Sequence, residues 1–195
     1  MLFRSILGGT LGMASLTAQT PGDTLPGRPI TTLGVLRAAA VVDSVFVDRT
    51  LRETTVDGGD FTAYLMARLG VTVLPPDFGI RVATDDSLLH IGGRLADLPH
   101  EVRQQLSQLT LLFPPDTRIE AQVVLVRAGK DAMRLHLQGI SLGGTPLPDF
   151  LVDPVFREIG RRYPALTESG RDLLVALPEG ATMRLVRAGV FLKGQ

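Results

Sequence analysis

RIEAQVVLVRAGKDAMRLHLQ, residues 118–138, is the stretch of sequence that decides the fold. Apolar and polar residues alternate on both sides of a short turn, AGKD at 128–131. Since a β-strand places alternate side chains on opposite faces, this pattern predicts two antiparallel strands with one buried face and one wet face. The residues predicted on the buried face are Ile119, Ala121, Val123, Leu125, Met133, Leu135 and Leu137.

A second hairpin precedes this one in the chain. Phe78, Ile80 and Val82 alternate with small or polar residues before the turn 85–87, and alternation resumes at Leu89. Further strands are predicted near 51–56, 173–177 and 181–192. Short strands that alternate with helical segments, with no repeat of about 20–50 residues, predict a single α+β domain over residues 31–195.

Helical periodicity predicts three main helices. The first covers roughly 31–48, although its valine content leaves a strand as an alternative. Asp60 is the predicted N-cap of the second, which ends at Gly70 in a left-handed C-cap. The third follows Pro148, and Pro154 either begins it after an Asp153 cap or kinks it. A short helix is also predicted over 98–108.

The amino-terminal residues have the composition of a secretory signal. Arg4 precedes a weakly apolar run that is followed by small residues. This pattern predicts a signal peptide over residues 1–18, with Ala14 as an alternative cleavage position, and a flexible lead-in rich in proline and glycine over 19–30. We therefore expect export to the periplasm or cell envelope. The alternative is a frayed amino terminus on a cytoplasmic protein.

Composition and motifs argue against several classes of function. Twenty basic residues balance twenty acidic ones, so no net charge attracts nucleic acid. Cysteine is absent, which excludes disulfides and thiolate metal ligands. No serine lies in a GxSxG elbow, and no glycine-rich stretch has the spacing of a phosphate- or dinucleotide-binding loop. We therefore expect a protein that is not an enzyme and that has no cofactor.

The histidines are the remaining candidates for chemistry. His90 and His136 fall on polar strand positions, and His100 precedes the short helix. Exposed strand histidines are expected more often than zinc ligands, which need three or four converging groups, so no metal site is predicted. An enzymatic alternative would require His90 and His136 to converge with an acidic residue in a deep polar pocket.

The most distinctive segment is ISLGGTPLPDFLVDPVFREIGRRYP, residues 140–164. Its GG-x-PLP turn and the helix that follows, residues 143–162, carry a resemblance together with the helix DFTAYLMARLG at 60–70, the hairpins at 78–142 and LPEGATMRLVRAGV at 177–190. This order of elements resembles the LmeA-like phospholipid-binding family of bacterial envelopes, which is related to tubular lipid-binding (TULIP-like) proteins. The resemblance implies a curved antiparallel sheet of about five to seven strands packed against two or three helices, with an apolar groove for acyl chains.

The apolar faces of the second and third helices are the candidate lining of this groove. For each residue on them, ordinary core packing is the alternative to ligand binding. A phospholipid or fatty acyl chain is the expected ligand, with its headgroup near Arg161 or Arg162. The candidate ligand-binding residues are Phe61, Tyr64, Leu65, Phe150, Leu151, Val155 and Ile159.

Two functions follow from these observations. The first is an exported, non-enzymatic protein that binds a lipid or another apolar ligand in a groove between sheet and helices. The alternative is a structural or assembly module of the cell envelope that holds a protein partner through a sheet edge or a helix face. Nucleic acid is not an expected partner, whereas a membrane surface stays open, as does the oligomeric state.

Overall fold

The structure is a computed structural model that describes residues 25–71, 79–98, 103–104, 113–163 and 165–195. Within these ranges the α-helices are α1 (Thr32–Phe46), α2 (Gly58–Arg68) and α3 (Asp149–Arg162). A 3₁₀ turn at Leu95–Asp97 follows the fourth strand. The strands are β1 (Arg28–Pro29), β2 (Glu53–Val56), β3 (Arg81–Thr84), β4 (Leu88–Arg94), β5 (Arg118–Arg127), β6 (Ala132–Leu142), β7 (Thr145–Pro146), β8 (Asp172–Ala176), β9 (Thr182–Val186) and β10 (Gly189–Lys193).

Two antiparallel sheets organise the described part of the chain. The larger has seven strands in the order β1-β3-β4-β5-β6-β7, with β8 beside the first half of β6. The smaller has the order β2-β10-β9. Helices packed against a mainly antiparallel sheet confirm the predicted α+β fold class. The sequence patterns do not predict the smaller sheet.

The β5–β6 hairpin has the predicted alternation, with one change of phase. Leu125 pairs with Leu135 and Val123 pairs with Leu137, so their side chains share the apolar face. Gln122 then pairs with Gly139, which leaves Gln138 as the extra residue of a β-bulge. Because a bulge inserts one residue, the apolar positions after it move from odd to even numbers, and Ile140 and Leu142 lie on the same face as Leu135.

The core lies on this apolar face of the larger sheet. One end of the face, near Leu89 and Leu135, is covered by α1, α2 and the smaller sheet. The other end is covered by α3. Side chains almost completely removed from solvent at the first end are those of Phe61, Leu89, Leu192, Val45, Val82 and Val190.

A partly buried ion pair joins α1 to α2, with the Asp60 side chain mostly buried and the Arg37 side chain largely exposed. Arg37 donates two hydrogen bonds to Asp60, at 2.7 and 2.6 Å. Asp60 is therefore not the N-cap that the sequence pattern predicts. Asp57 has that role instead, since its Oδ1 accepts from the amides of Gly59 and Asp60. The helix therefore begins at Gly58, and Gly59 in its first turn packs closely on β1, where an added Cβ would lie 2.8 Å from the carbonyl oxygen of Pro29.

Several other boundaries differ from the predictions. Arg28–Pro29, expected within the flexible lead-in, pairs with β3 at the sheet edge, where a proline costs no ladder hydrogen bond. The single strand predicted over 181–192 is divided into β9 and β10 by a turn that ends at Gly189, whose φ is 144°. The third helix begins at Asp149, so Pro154 lies inside it.

Some predictions fall outside the described residues. The signal peptide predicted over 1–18 is one of them, together with the start of the lead-in, Phe78 and most of the helix predicted over 98–108. Within the residues that are described, no helix is long and apolar enough to cross a membrane.

Candidate functional site

An apolar cavity of about 280 Å³ lies between α3 and the larger sheet, and we call it the α3 cavity. Every described residue that lines it is apolar or glycine. Its floor comes from β4, β5 and β6, and its roof comes from one face of α3. The lining residues are Ile80, Ile91, Gly92, Gly93, Leu98, Ile119, Ala121, Leu137, Ile140, Val152, Val155, Phe156 and Ile159.

Helical geometry explains why the roof residues lie on one side of α3. Val152, Val155, Phe156 and Ile159 are spaced at i, i+3, i+4 and i+7, which places them on one side of α3. Val152 is buried, but the other three keep part of their surface exposed because the cavity lies beneath them. A well-packed interior would remove all four from solvent. The roof therefore leaves apolar surface uncovered at this end of the sheet.

A small residue on the floor, Ala121, contributes to the empty volume. Ala121 is paired with Ile91 on one side and with Ile140 on the other, so an alanine lies between two larger side chains. The space over Gly93, on the same face, is filled by Ile80, whose Cδ1 would lie 2.3 Å from an added Cβ. The helix above does not fill the space that Ala121 leaves.

Contacts at both ends hold α3 in place over this cavity. Arg171, just before β8, donates from one Nη to Asp149 at 2.7 Å and to Asp153 at 2.6 Å. The hydrogen bond to Asp149 is the main reason that the pKa of Arg171 is raised, so this guanidinium stays charged. Further along the helix, Gly170 (φ +69°) packs so closely that an added Cβ would overlap the carbonyl of Phe156.

A second cavity, of about 220 Å³, lies beside α2, and we call it the α2 cavity. Its walls come from α1, α2 and β8, and its lining includes polar side chains. The lining residues are Val42, Phe46, Phe61, Tyr64, Leu65, Arg68, Leu69, Ala165, Leu173, Leu174, Val175, Ala176, Leu177 and Met183.

The structure divides the predicted ligand-binding residues into three groups. Phe61, Tyr64 and Leu65 line the α2 cavity, and the first and last of these are also part of the buried core. Val155 and Ile159 line the α3 cavity. Phe150 and Leu151 line neither cavity, and their side chains are exposed by 73% and 36% respectively.

Sequence reasoning missed two roof residues of the α3 cavity. Val152 and Phe156 complete the stripe with Val155 and Ile159. The helical spacing contains this signal, because Phe150 is about 160° and Leu151 about 100° away from Val152 around the helix axis at 3.6 residues per turn. The floor residues Gly93 and Ala121 carry no local signal of a cavity.

Polar side chains occupy the opposite face of the larger sheet. His90 contacts Asp85 at 3.0 Å, and His136 contacts Asp172 at 2.8 Å. His90 pairs with Gln122 of β5 whereas His136 pairs with Val124, so β5 separates the two histidines and each has its own carboxylate partner. Among the residues that the structure describes, no group of three or more His, Asp or Glu side chains could hold a metal ion.

Comparison with known proteins adds no relative to this description. No protein-family model, no curated protein and no solved structure matches the chain. The resemblance to the LmeA-like family stays a prediction from the sequence pattern.

Proposed function

We propose that this protein is an exported, non-enzymatic lipid-binding protein that holds an acyl chain, or an apolar ligand of similar shape, in the α3 cavity. The observation that carries the proposal is the composition of the cavity: all of the described residues that line it are apolar or glycine, and several remain partly exposed. The sequence resemblance to envelope lipid-binding proteins and the signal-like amino terminus support the same function.

The energetics of the cavity favour an apolar occupant. Each methylene group that leaves water contributes about 0.8 kcal/mol. The uncovered surfaces of Ile119, Leu137 and Phe156 would be buried by the ligand as well, so protein and ligand both lose apolar contact with water. A volume of about 280 Å³ is close to the lower end of the range for small-molecule sites. A single chain is the ligand that this volume favours.

Single tryptophan residues test where the ligand lies. The chain has no tryptophan, so Phe156→Trp introduces one reporter into the roof of the α3 cavity. We expect a fatty acid with bromine atoms along its chain to quench this reporter saturably. Phe150→Trp is the matched control, since it places the same reporter on the same helix but outside the cavity. Equal quenching in both variants, or none in Phe156→Trp, would contradict the proposal.

Filling the cavity tests whether its volume is needed. Ala121→Leu adds bulk to the cavity floor, whereas Ala83→Leu adds the same atoms on the opposite face of the sheet, in the row of His90. We expect native mass spectrometry to show a lipid adduct on the wild type and on Ala83→Leu, and much less of it on Ala121→Leu. An undiminished adduct on Ala121→Leu would place the lipid elsewhere.

A further inference from the structure

The α2 cavity changes from apolar to polar along one helix face. Phe61, Tyr64, Leu65 and Arg68 are spaced at i, i+3, i+4 and i+7, so they share one side of α2, and all four line the cavity. Phe61 and Leu65 are buried, Tyr64 is half-buried and Arg68 is exposed. The cavity therefore has apolar walls at its base and a hydroxyl and a guanidinium towards solvent.

The described part of the chain offers these two polar groups no partner. Among the residues that the structure describes, none forms a hydrogen bond or an ion pair with the Arg68 guanidinium or the Tyr64 hydroxyl. The two arginines that organise the helices differ in this respect, because Arg37 pairs with Asp60 and Arg171 pairs with Asp149 and Asp153. Within the described part of the chain, the Arg68 guanidinium therefore has donors that a ligand could use.

The two cavities are neighbours on the same face of the larger sheet. Leu137 of β6 lines the α3 cavity, and Leu173 of β8 lines the α2 cavity. Leu173 is paired with Leu135, which lies two positions before Leu137 on β6, about 7 Å along the strand. At the roof, Ile159 of α3 lines one cavity, and Ala165, shortly after the helix, lines the other.

We propose that both cavities hold one ligand, an amphiphile with an anionic headgroup, whose chain lies in the α3 cavity and whose headgroup is bound by Arg68 and Tyr64. This inference rests on the proposed function and adds the charge and the position of the headgroup. A guanidinium offers parallel donors to a carboxylate or a phosphate. Arg161 and Arg162, expected near the headgroup from the sequence, line neither cavity.

A pair of ligands with equal chains tests the headgroup. Decanoate and decanol differ in charge but not in the apolar part, so calorimetric titration at neutral pH separates the two contributions. We expect Arg68→Gln to weaken decanoate binding about tenfold and to leave decanol binding unchanged, since a charge-assisted hydrogen bond is lost. Tyr64→Phe removes the hydroxyl alone and is expected to weaken decanoate by a smaller factor. Arg157→Gln, at an exposed position of α3, is the matched control.

The outcomes separate this inference from the proposed function. If decanoate and decanol bind the wild type equally, or Arg68→Gln binds decanoate as tightly as the wild type, the headgroup site is wrong while the acyl-chain site stands. If neither ligand binds, both proposals are wrong. Acetate carries the headgroup without the chain, so competition by acetate at the concentration of decanoate would show a free-anion site and overturn the inference.

Discussion

Asp85, in the turn between β3 and β4, shows how local contacts control the charge of one residue. Its carboxylate accepts hydrogen bonds from the amides of Ser87 and Leu88, both at 2.7 Å, and contacts Nε2 of His90 at 3.0 Å. The contact with His90, followed by those two amides, holds the pKa of Asp85 far below its usual range. The ionised carboxylate is therefore the form that stabilises the turn.

This low pKa predicts a pH-dependent effect of Asp85→Asn. A carboxyl group whose pKa is depressed by folding contributes stability above its unfolded pKa, about 4, and loses it as the pH falls through the folded value. We therefore expect Asp85→Asn to be less stable than the wild type at pH 6, and the difference to shrink as the pH falls below about 4. Urea unfolding across this pH range measures it.

This test has a control variant and an outcome that would contradict the prediction. Asp86→Asn changes the neighbouring carboxylate of the same turn, to which no hydrogen bond is donated by the turn amides that bind Asp85. Asp86→Asn should therefore keep the hydrogen bonds from the turn amides to Asp85. A stability difference between the wild type and Asp85→Asn that stays constant from pH 6 to pH 3 would show that ionisation of Asp85 does not stabilise the turn.

Single residues also show what sequence alone can predict. The turn at Asp85 was predictable because its partners are within five positions in the chain. The role of Asp60 was not, because its partner Arg37 belongs to another helix, 23 positions away. An aspartate before an apolar stripe is a sound N-cap prediction, but here a distant arginine binds that carboxylate and Asp57 caps the helix.

At the scale of elements, the bulge in β6 sets the two halves of that strand in phase. Before Gln138 the apolar residues are odd-numbered, and after it they are even-numbered. The sequence contains this break, since Leu137 is followed by Ile140 and not by an apolar residue at 139. If Gln138 were paired in a regular ladder instead, Ile140 would lie opposite Glu120 and point to the polar face, away from the floor of the α3 cavity.

Deleting Gln138 tests this arrangement. The deletion removes the unpaired residue, so Ile140 and Leu142 are expected to keep their partners on β5 and their place on the apolar face, and the free energy of unfolding is expected to change by only about 1 kcal/mol. Gln138→Ala keeps the extra residue and removes only an exposed side chain, so a change within about 1 kcal/mol is expected. Urea denaturation measures both variants, and a loss of roughly 4 kcal/mol or more on deletion would show that Gln138 is a paired residue of the ladder and not the extra residue of a bulge.

The helices also have features that nearby residues predict and features that depend on residues far away in the sequence. The position of α3 and two of its cavity residues, Val155 and Ile159, follow from periodicity. The α3 cavity itself does not, because it depends on which residues of three separate strands lie under the helix. An alanine at position 121 becomes a cavity floor only when Ile91 and Ile140 flank it. The same limit explains why the smaller sheet went unpredicted, as its strands β2 and β10 are far apart in sequence.

At the scale of the whole molecule, ligand binding should be visible as stability. A ligand that binds only the folded state raises the unfolding temperature by mass action. Each pair of added methylene groups contributes about 1.6 kcal/mol while space remains, which is roughly a tenfold gain in affinity. We therefore expect the unfolding temperature, measured by calorimetry at fixed ligand concentration, to rise along a series of fatty acids and then level off.

The chain length at which the unfolding temperature stops rising reports the volume of the α3 cavity. Ala121→Leu should bring the plateau to shorter chains, because it reduces the α3 cavity, and Ala83→Leu should not move it. A continued rise with chain length in every variant would indicate adsorption to the protein surface. Such a rise would count against binding in a cavity of fixed size.

The position of β10 also has a consequence for the time course of folding. β10 is the central strand of the smaller sheet, and it pairs Val190 with Val56 of β2. At ribosomal speeds of about 5–20 residues per second, the time between synthesis of β2 and synthesis of β10 is on the order of 10 s. Pairing between such distant segments is slow to nucleate. Mature packing between α2 and the smaller sheet therefore forms only after Gly189–Lys193 has been synthesised and has left the ribosome.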